Sequence, residues 1–165
     1  GQKSLAVINE RIAWTGKPGA PTPPKVVPLN AAQQALFEKG HGTFLSLCAA
    51  CHQAHGFGLD GLAPPLVDSE WVLGKPESLV RIVSHGLGGP IKVGNRVWDL
   101  AMPPCPQLSD EEVAGVLTYI RREWEHTASA VDPKMVHDVR AQEASRTNSW
   151  TAEELRPTAK TSSTK

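Results

Sequence analysis

Aromatic residues make up only 5% of the 165 residues, too few for a large aromatic core, while 14 prolines and 14 glycines make loops plentiful. Such a composition implies that something other than side chains fills part of the interior. Cysteines number three, which excludes a disulfide framework. A surplus of charge is lacking as well. The 17 basic and 17 acidic residues leave a formal net charge of zero, so no strong field exists to hold nucleic acid or an anionic membrane surface. No apolar run approaches the roughly 20 residues that span a bilayer, so no transmembrane segment is expected, and the N-terminus Gly1-Gln2-Lys3-Ser4 does not read as a secretory leader. The length suits one body with tails rather than two full domains.

What is present is unevenly distributed. Residues 16–28 read G-K-P-G-A-P-T-P-P-K-V-V-P, where repeated proline removes backbone donors and gives a stiff connector. Residues 5–14 (L-A-V-I-N-E-R-I-A-W) suit a short helix or an arm lying across the body. Asn30 can cap a helix whose apolar face runs through Leu36, Phe37, Gly40, Phe44 and Leu47 to Cys48. Glycine and proline recur over 56–74, which predicts an ordered loop. Pro76 opens a short helix over 77–84 carrying Leu79, Val80, Ile82 and Val83, with His85-Gly86 at its end. Residues 88–106 read as a second long loop, containing Trp98 and Met102. Ser109 with Glu112 forms a capping box, followed by an apolar stripe of Val113, Val116, Leu117, Ile120 and Trp124 in a helix ending near His126. Asp132-Pro133 starts a further helix through Met135, Val136 and Val139, and Thr151 with Glu154 marks a last turn before Leu155. The polar tail 157–165 is expected to be disordered. No internal repeat is detected.

Two of the three cysteines fall in C-A-A-C-H at 48–52. C-x-x-C places two thiols on adjacent turns, where each can form a thioether with one vinyl group of a haem. The next residue, His52, is then directed at the iron, so one short segment fixes porphyrin and axial ligand together. Three other readings compete. A thioredoxin-type redox pair wants a preceding strand and a βαβ context, and neither precedes Cys48. A zinc site needs a second ligand pair, which His55 and the distant Cys105 do not supply at ordinary spacing. The third is accident in a helix.

Iron in such a site takes a sixth ligand, and a thioether raises its reduction potential. Met102 is the candidate: it lies in A-M-P-P, in a loop just before a capped helix, whereas Met135 has the apolar helical spacing of core filler. His41, His55, His85, His126 and His137 read as surface or capping residues. Cys105, directly after A-M-P-P, is either a buried small apolar residue or an exposed thiol able to link two chains.

Gly40, Phe44, C-A-A-C-H, A-P-P-L at 63–66, A-M-P-P at 101–104 and V-L-T-Y-I at 116–120 together resemble the class I c-type cytochromes, over residues 30–126. The resemblance implies an all-α cytochrome c fold: helices packed around one covalently bound haem c, with long ordered loops and extended N- and C-terminal arms. It implies that Gly40 and Phe44 cross a final helix at Val116 and Tyr119, that the carbonyl of Pro64 orients the His52 ring, and that Trp71, Trp98 and Arg81 supply donors to the haem propionates. The chain then divides into an arm and connector (1–29), a haem domain (30–126), a C-terminal helical extension (127–156) and a tail (157–165).

The activity so implied is electron transfer by iron ligated by His52 and Met102, with catalysis left to a redox partner protein or a fused dehydrogenase domain. The flanks W-T-G-K-P and V-R-A-Q-E-A-S-R-T-N-S-W-T-A-E-E-L are similar to those of haem modules in exported bacterial multidomain proteins. A periplasmic or otherwise extracytoplasmic place is expected, with a leader removed or the segment cut from a longer chain. Zero net charge predicts docking through an apolar patch with little sensitivity to salt. The rival reading is a haem enzyme or gas sensor whose sixth position is open or labile.

Overall fold

The computed structural model describes residues 26–156. The predicted arm at 5–14, most of the connector and the tail at 157–165 lie outside the described residues. Helix α1 spans Ala31–Thr43. The Asn30 side chain accepts from the Gln33 N–H at 2.9 Å while the Gln33 side chain accepts from the Asn30 N–H at 3.1 Å, so two donors that a helix start leaves orphaned are satisfied reciprocally. The chain then widens into one π-helical turn, Phe44–Cys48, before α2, Ala49–His52. The extra residue in that turn rotates whatever follows away from the face of α1. Gly40 and Phe44 are buried, but Leu47 is 44% exposed, so the predicted apolar face ends at Phe44.

Helix α3 (Glu70–Leu73) lies inside the stretch expected to be loop. Helix α4 (Pro76–His85) begins on proline and ends at Gly86. Helix α5 (Asp110–Arg122) is closed by the Ser109–Glu112 capping box and is buried continuously from Val113 to Arg121, which makes it the central element. Helix α6 (Pro133–Gln142), capped by Asp132, packs Val136 and Val139 against α4 and α5. Helix α7 is the turn Ala152–Leu155.

The all-α expectation needs correction. Strands β1 (Pro90–Val93) and β2 (Arg96–Asp99) form an antiparallel hairpin within 88–106, pairing Ile91 with Trp98 and Val93 with Arg96. Its signal is an alternation: Ile91, Val93 and Trp98 point inward while Lys92 and Val97 point out. Gly94, at φ +59°, takes the first position of the two-residue turn, where a positive φ suits glycine.

Helices α1 and α5 cross at glycine. A Cβ on Gly40 would lie 2.0 Å from the Gly115 carbonyl oxygen and 2.7 Å from the Val116 nitrogen. Beside this crossing Tyr119 packs against Phe37 and Phe44, each at 5.2 Å between ring centroids. The expected partners Val116 and Tyr119 are therefore present, with Gly115 as the closest.

Helix α4 serves two apolar clusters. Leu79 and Val80 join Phe44, Val113, Leu117, Val131 and Val136 in the first. Ile82 joins Leu87, Ile91, Val93, Trp98, Ala152 and Leu155 in the second. Two buried polar side chains hold the frame. Arg121 donates to the carbonyls of Val72 (2.6 Å), Gly74 (2.8 Å) and Ser129 (2.9 Å), capping the end of α3. His126 is buried: its Nδ1 donates to the Ile120 carbonyl at 2.8 Å and its Nε2 accepts from the Asp68 N–H at 3.0 Å. It caps α5 from inside rather than from the surface.

Candidate haem site

Cys48 closes the π-turn, and Cys51 and His52 lie on α2, which Gln53 stops at φ +61°. The loop after it folds back on itself. The Gly58 N–H donates to the His52 carbonyl (3.0 Å), Leu59 pairs with Ala63, and the Leu66 N–H reaches the Gly56 carbonyl (2.7 Å). Gly58 makes this closure sterically feasible: at φ +69°, a Cβ there would lie 2.3 Å from the Ala63 carbonyl oxygen. The closure brings the Pro64 carbonyl to 3.1 Å from His52 Nδ1, the contact that the resemblance implies. A carbonyl only accepts, so Nδ1 carries the proton and the lone pair lies on Nε2. Burial holds the imidazole below its ordinary value, partly offset by the Pro64 carbonyl.

Cys48 does not have the character of a disulfide-exchange nucleophile. Burial, then the neighbouring Cys105 and Cys51, push the Cys48 thiol up to about 11, whereas attack on a disulfide needs a depressed thiol. Among the described residues no three His, Cys, Asp or Glu side chains gather in a metal-binding cluster, so zinc lacks a ligand set. Cys105 is half-buried against the first cluster, its N–H bonded to the Val83 carbonyl at 2.8 Å.

Met102 lies against the second cluster. It exchanges two backbone hydrogen bonds with Leu87, Met102 N–H to Leu87 carbonyl at 2.8 Å and the reverse at 3.0 Å. Trp98, Trp71 and Met102 share this cluster, but the three proposed propionate donors differ. Trp71 Nε1 donates to the Lys92 carbonyl at 2.9 Å, so it fastens α3 to the hairpin. Arg81 Nε is engaged with Glu143 at 2.9 Å. Trp98 Nε1 alone of the three is buried without a hydrogen-bond partner among the described residues.

A family model described as cytochrome c oxidase, cbb3-type, subunit III matches residues 35–120, from the first turns of α1 to the end of V-L-T-Y-I. The chain belongs to the class I c-type cytochromes. It is 34% identical to a cytochrome c-552 of Thermus thermophilus over 54% of this chain and 64% of that protein. It is 32% identical to the cytochrome c subunit of a quinone alcohol dehydrogenase of Gluconacetobacter polyoxogenes, over 62% of this chain and 23% of that subunit. A gluconate 2-dehydrogenase cytochrome c subunit of Pantoea cypripedii is 33% identical over 64% of this chain and 25% of the subunit. The chain thus spans under two thirds of the cytochrome c-552 and about a quarter of the dehydrogenase subunits.

The cytochrome carries covalently attached haem c, as its family does. The residues present fit that group: two thiols one turn apart, an imidazole with Nε2 unprotonated, and a buried indole donor, without a partner among the described residues, suited to an anionic propionate. No described helix is long and apolar enough to cross a membrane.

Proposed function

We propose that the cytochrome is a one-electron relay outside the cytoplasm, its iron held by His52 and Met102, accepting electrons from or passing them to a dehydrogenase or respiratory partner. The observation that carries this reading is the His52–Pro64 contact, which sets the imidazole tautomer before any iron binds. Cys48 and Cys51 supply the thioether sulfurs, and Trp98 Nε1 donates to a propionate. Met102, tied to Leu87 by two backbone bonds, would hold the iron together with His52. Haem c contributes a reversible ferric–ferrous couple. The protein's part is to fix both ligands, so that little rearranges when the charge changes and the potential is raised by the thioether.

The relatives whose names make them dehydrogenase subunits support such a partner. Docking is assigned to exposed apolar residues after the haem motif, Phe57, Leu59 and Leu62, at 64%, 49% and 45% exposure, consistent with zero net charge. Met102→Ala tests the reading. The ferric holoprotein loses the weak far-red absorption band of methionine-ligated haem, the midpoint potential falls, and the ferrous form binds carbon monoxide. A native protein that lacks the band and binds carbon monoxide readily is a haem enzyme or sensor instead.

A further inference from the structure

We infer that Trp150, in the C-terminal extension, is a positioning residue for the Met102 segment, and that the extension is part of the redox site rather than an appendage. The inference rests on the proposed His52/Met102 ligation. Residues 86–88 form a short extended strip with a neighbour on each edge. On one edge Leu87 exchanges two backbone bonds with Met102, at 2.8 and 3.0 Å. On the other, Trp150 N–H donates to the Gly86 carbonyl at 3.0 Å and Gly88 N–H donates to the Trp150 carbonyl at 2.8 Å. Met102 therefore reaches the body of the protein through a strip whose far edge is closed by Trp150. A strip without that second edge would leave backbone donors and acceptors to compete for water.

The strip is also tight. At Gly86 (φ +81°) a Cβ would lie 2.6 Å from the Met102 carbonyl oxygen and 3.1 Å from Ser149 Oγ, so the ligand segment and the extension both close on the space beside this one residue. Trp150 is seated by contacts within the extension and by one across the chain to Arg81. Its ring lies 3.6 Å from the Arg146 guanidinium and 5.5 Å from that of Arg81. Arg146 Nη2 holds both carboxylate oxygens of Glu154 at 2.9 Å and the Ser149 carbonyl at 3.0 Å. Arg81 is paired with Glu143 at 2.9 Å, while Ala152 and Leu155 are buried in the same cluster that Met102 and Trp98 border. The arginine that the family resemblance assigns to a propionate thus serves to dock the extension.

The test uses the full-length holoprotein with Trp150→Ala, the conservative Trp150→Phe, and Glu154→Gln, which loosens Arg146 without touching the tryptophan. In Trp150→Ala, haem stays covalently bound at one per chain. The Met102 amide exchanges with solvent about five-fold faster or more, because alanine keeps the backbone bonds at position 150 but loses the ring that seats them against Arg146 and Arg81. The far-red band weakens, and the midpoint potential falls. Trp150→Phe restores band and potential, and Glu154→Gln gives a smaller loss in the same direction, which decides the matter if Trp150→Ala fails to fold. Unchanged exchange at Met102 in Trp150→Ala and Glu154→Gln overturns the inference. If exchange quickens but the band is unaffected by Met102→Ala, the coupling stands and the methionine ligation falls.

Discussion

Gly40→Ala is the sharpest test of the helix crossing on which the rest of the fold is built. The added methyl would meet the Gly115 carbonyl oxygen at 2.0 Å, its carbon at 2.2 Å and the Val116 nitrogen at 2.7 Å. All three are backbone atoms of a buried helix, so no side chain can swing aside. Moving from 2.0 Å to an ordinary contact beyond 3.4 Å separates α1 from α5 by more than an ångström. A gap of that size forfeits about half or more of the dispersion attraction across it. The losses fall on Phe37, His41 and Phe44 against Tyr119, at 5.2, 5.0 and 5.2 Å, and on Val116. Overpacking of this kind costs about 3 kcal/mol, against which alanine returns about 1 kcal/mol of helix propensity. The net loss is about 2 kcal/mol, a fall in Tm of roughly 4–8 °C for a chain of this length. Gly42, in the same helix, is the control: a Cβ there meets nothing within 4 Å, so Gly42→Ala raises stability by about 0.5–1 kcal/mol. Gly115→Ala, facing Leu36 O at 3.0 Å, falls between them. Thermal unfolding of the three holoproteins ranks them. A Gly40→Ala protein that melts with the unsubstituted one refutes the crossing.

Ser109→Ala removes the acceptor for the Glu112 N–H (3.2 Å) at the start of α5 and costs about 1 kcal/mol at neutral pH by thermal melting. The Ser109 N–H and hydroxyl hold the Glu112 carboxyl below its ordinary value of 4.5. A depressed carboxylate stabilises above its unfolded pKa and loses that contribution as pH falls through the folded one. The stability gap between the unsubstituted protein and Glu112→Gln is therefore full above about pH 5 and closes on acidification below 4.5; a gap constant with pH counts against the capping box. His126→Ala strands the buried Ile120 carbonyl and the N–H of Asp68, whose φ is +53°. It lowers the unfolding free energy in urea by about 2–3 kcal/mol, and a loss under about 1 kcal/mol shows that the pair is not structural.

Local chemistry was readable where it was self-contained. Asn30, Ser109, Asp132 and Thr151 each cap the helix that their side chains foretell, because a cap involves only the next two or three residues. The His52–Pro64 contact was reachable through the resemblance alone, since it depends on a loop closure that Gly58 allows and no periodicity announces. The π-turn was hidden because one inserted residue leaves composition unchanged while turning Leu47 outward. The hairpin was missed because its glycines and prolines outweighed the I-K-V and R-V-W alternation flanking Gly94. Arg121 and His126 look like solvent-facing residues in sequence, and only the fold reveals the carbonyls that they satisfy. Arg81 and Trp150 lie far apart in sequence, so their joint role has no local signal.

The two ends of the proposed axial pair are secured by different physics. On the His52 side everything lies between Cys48 and Pro64: both thioether positions, the ligand and the carbonyl that orients it. Closing so short a segment costs little chain entropy, and the contacts form as one unit. On the Met102 side the supports are Leu87, then Trp150, with Glu143 and Glu154 holding the two arginines that flank its ring, so they are drawn from distant parts of the chain. Such an arrangement holds the thioether only while the extension is docked. The segment 35–120, which matches the family model, contains the first set of contacts complete and the second only in part. On the proposed ligation, the residues after α5 are therefore where the hold on Met102 would be set.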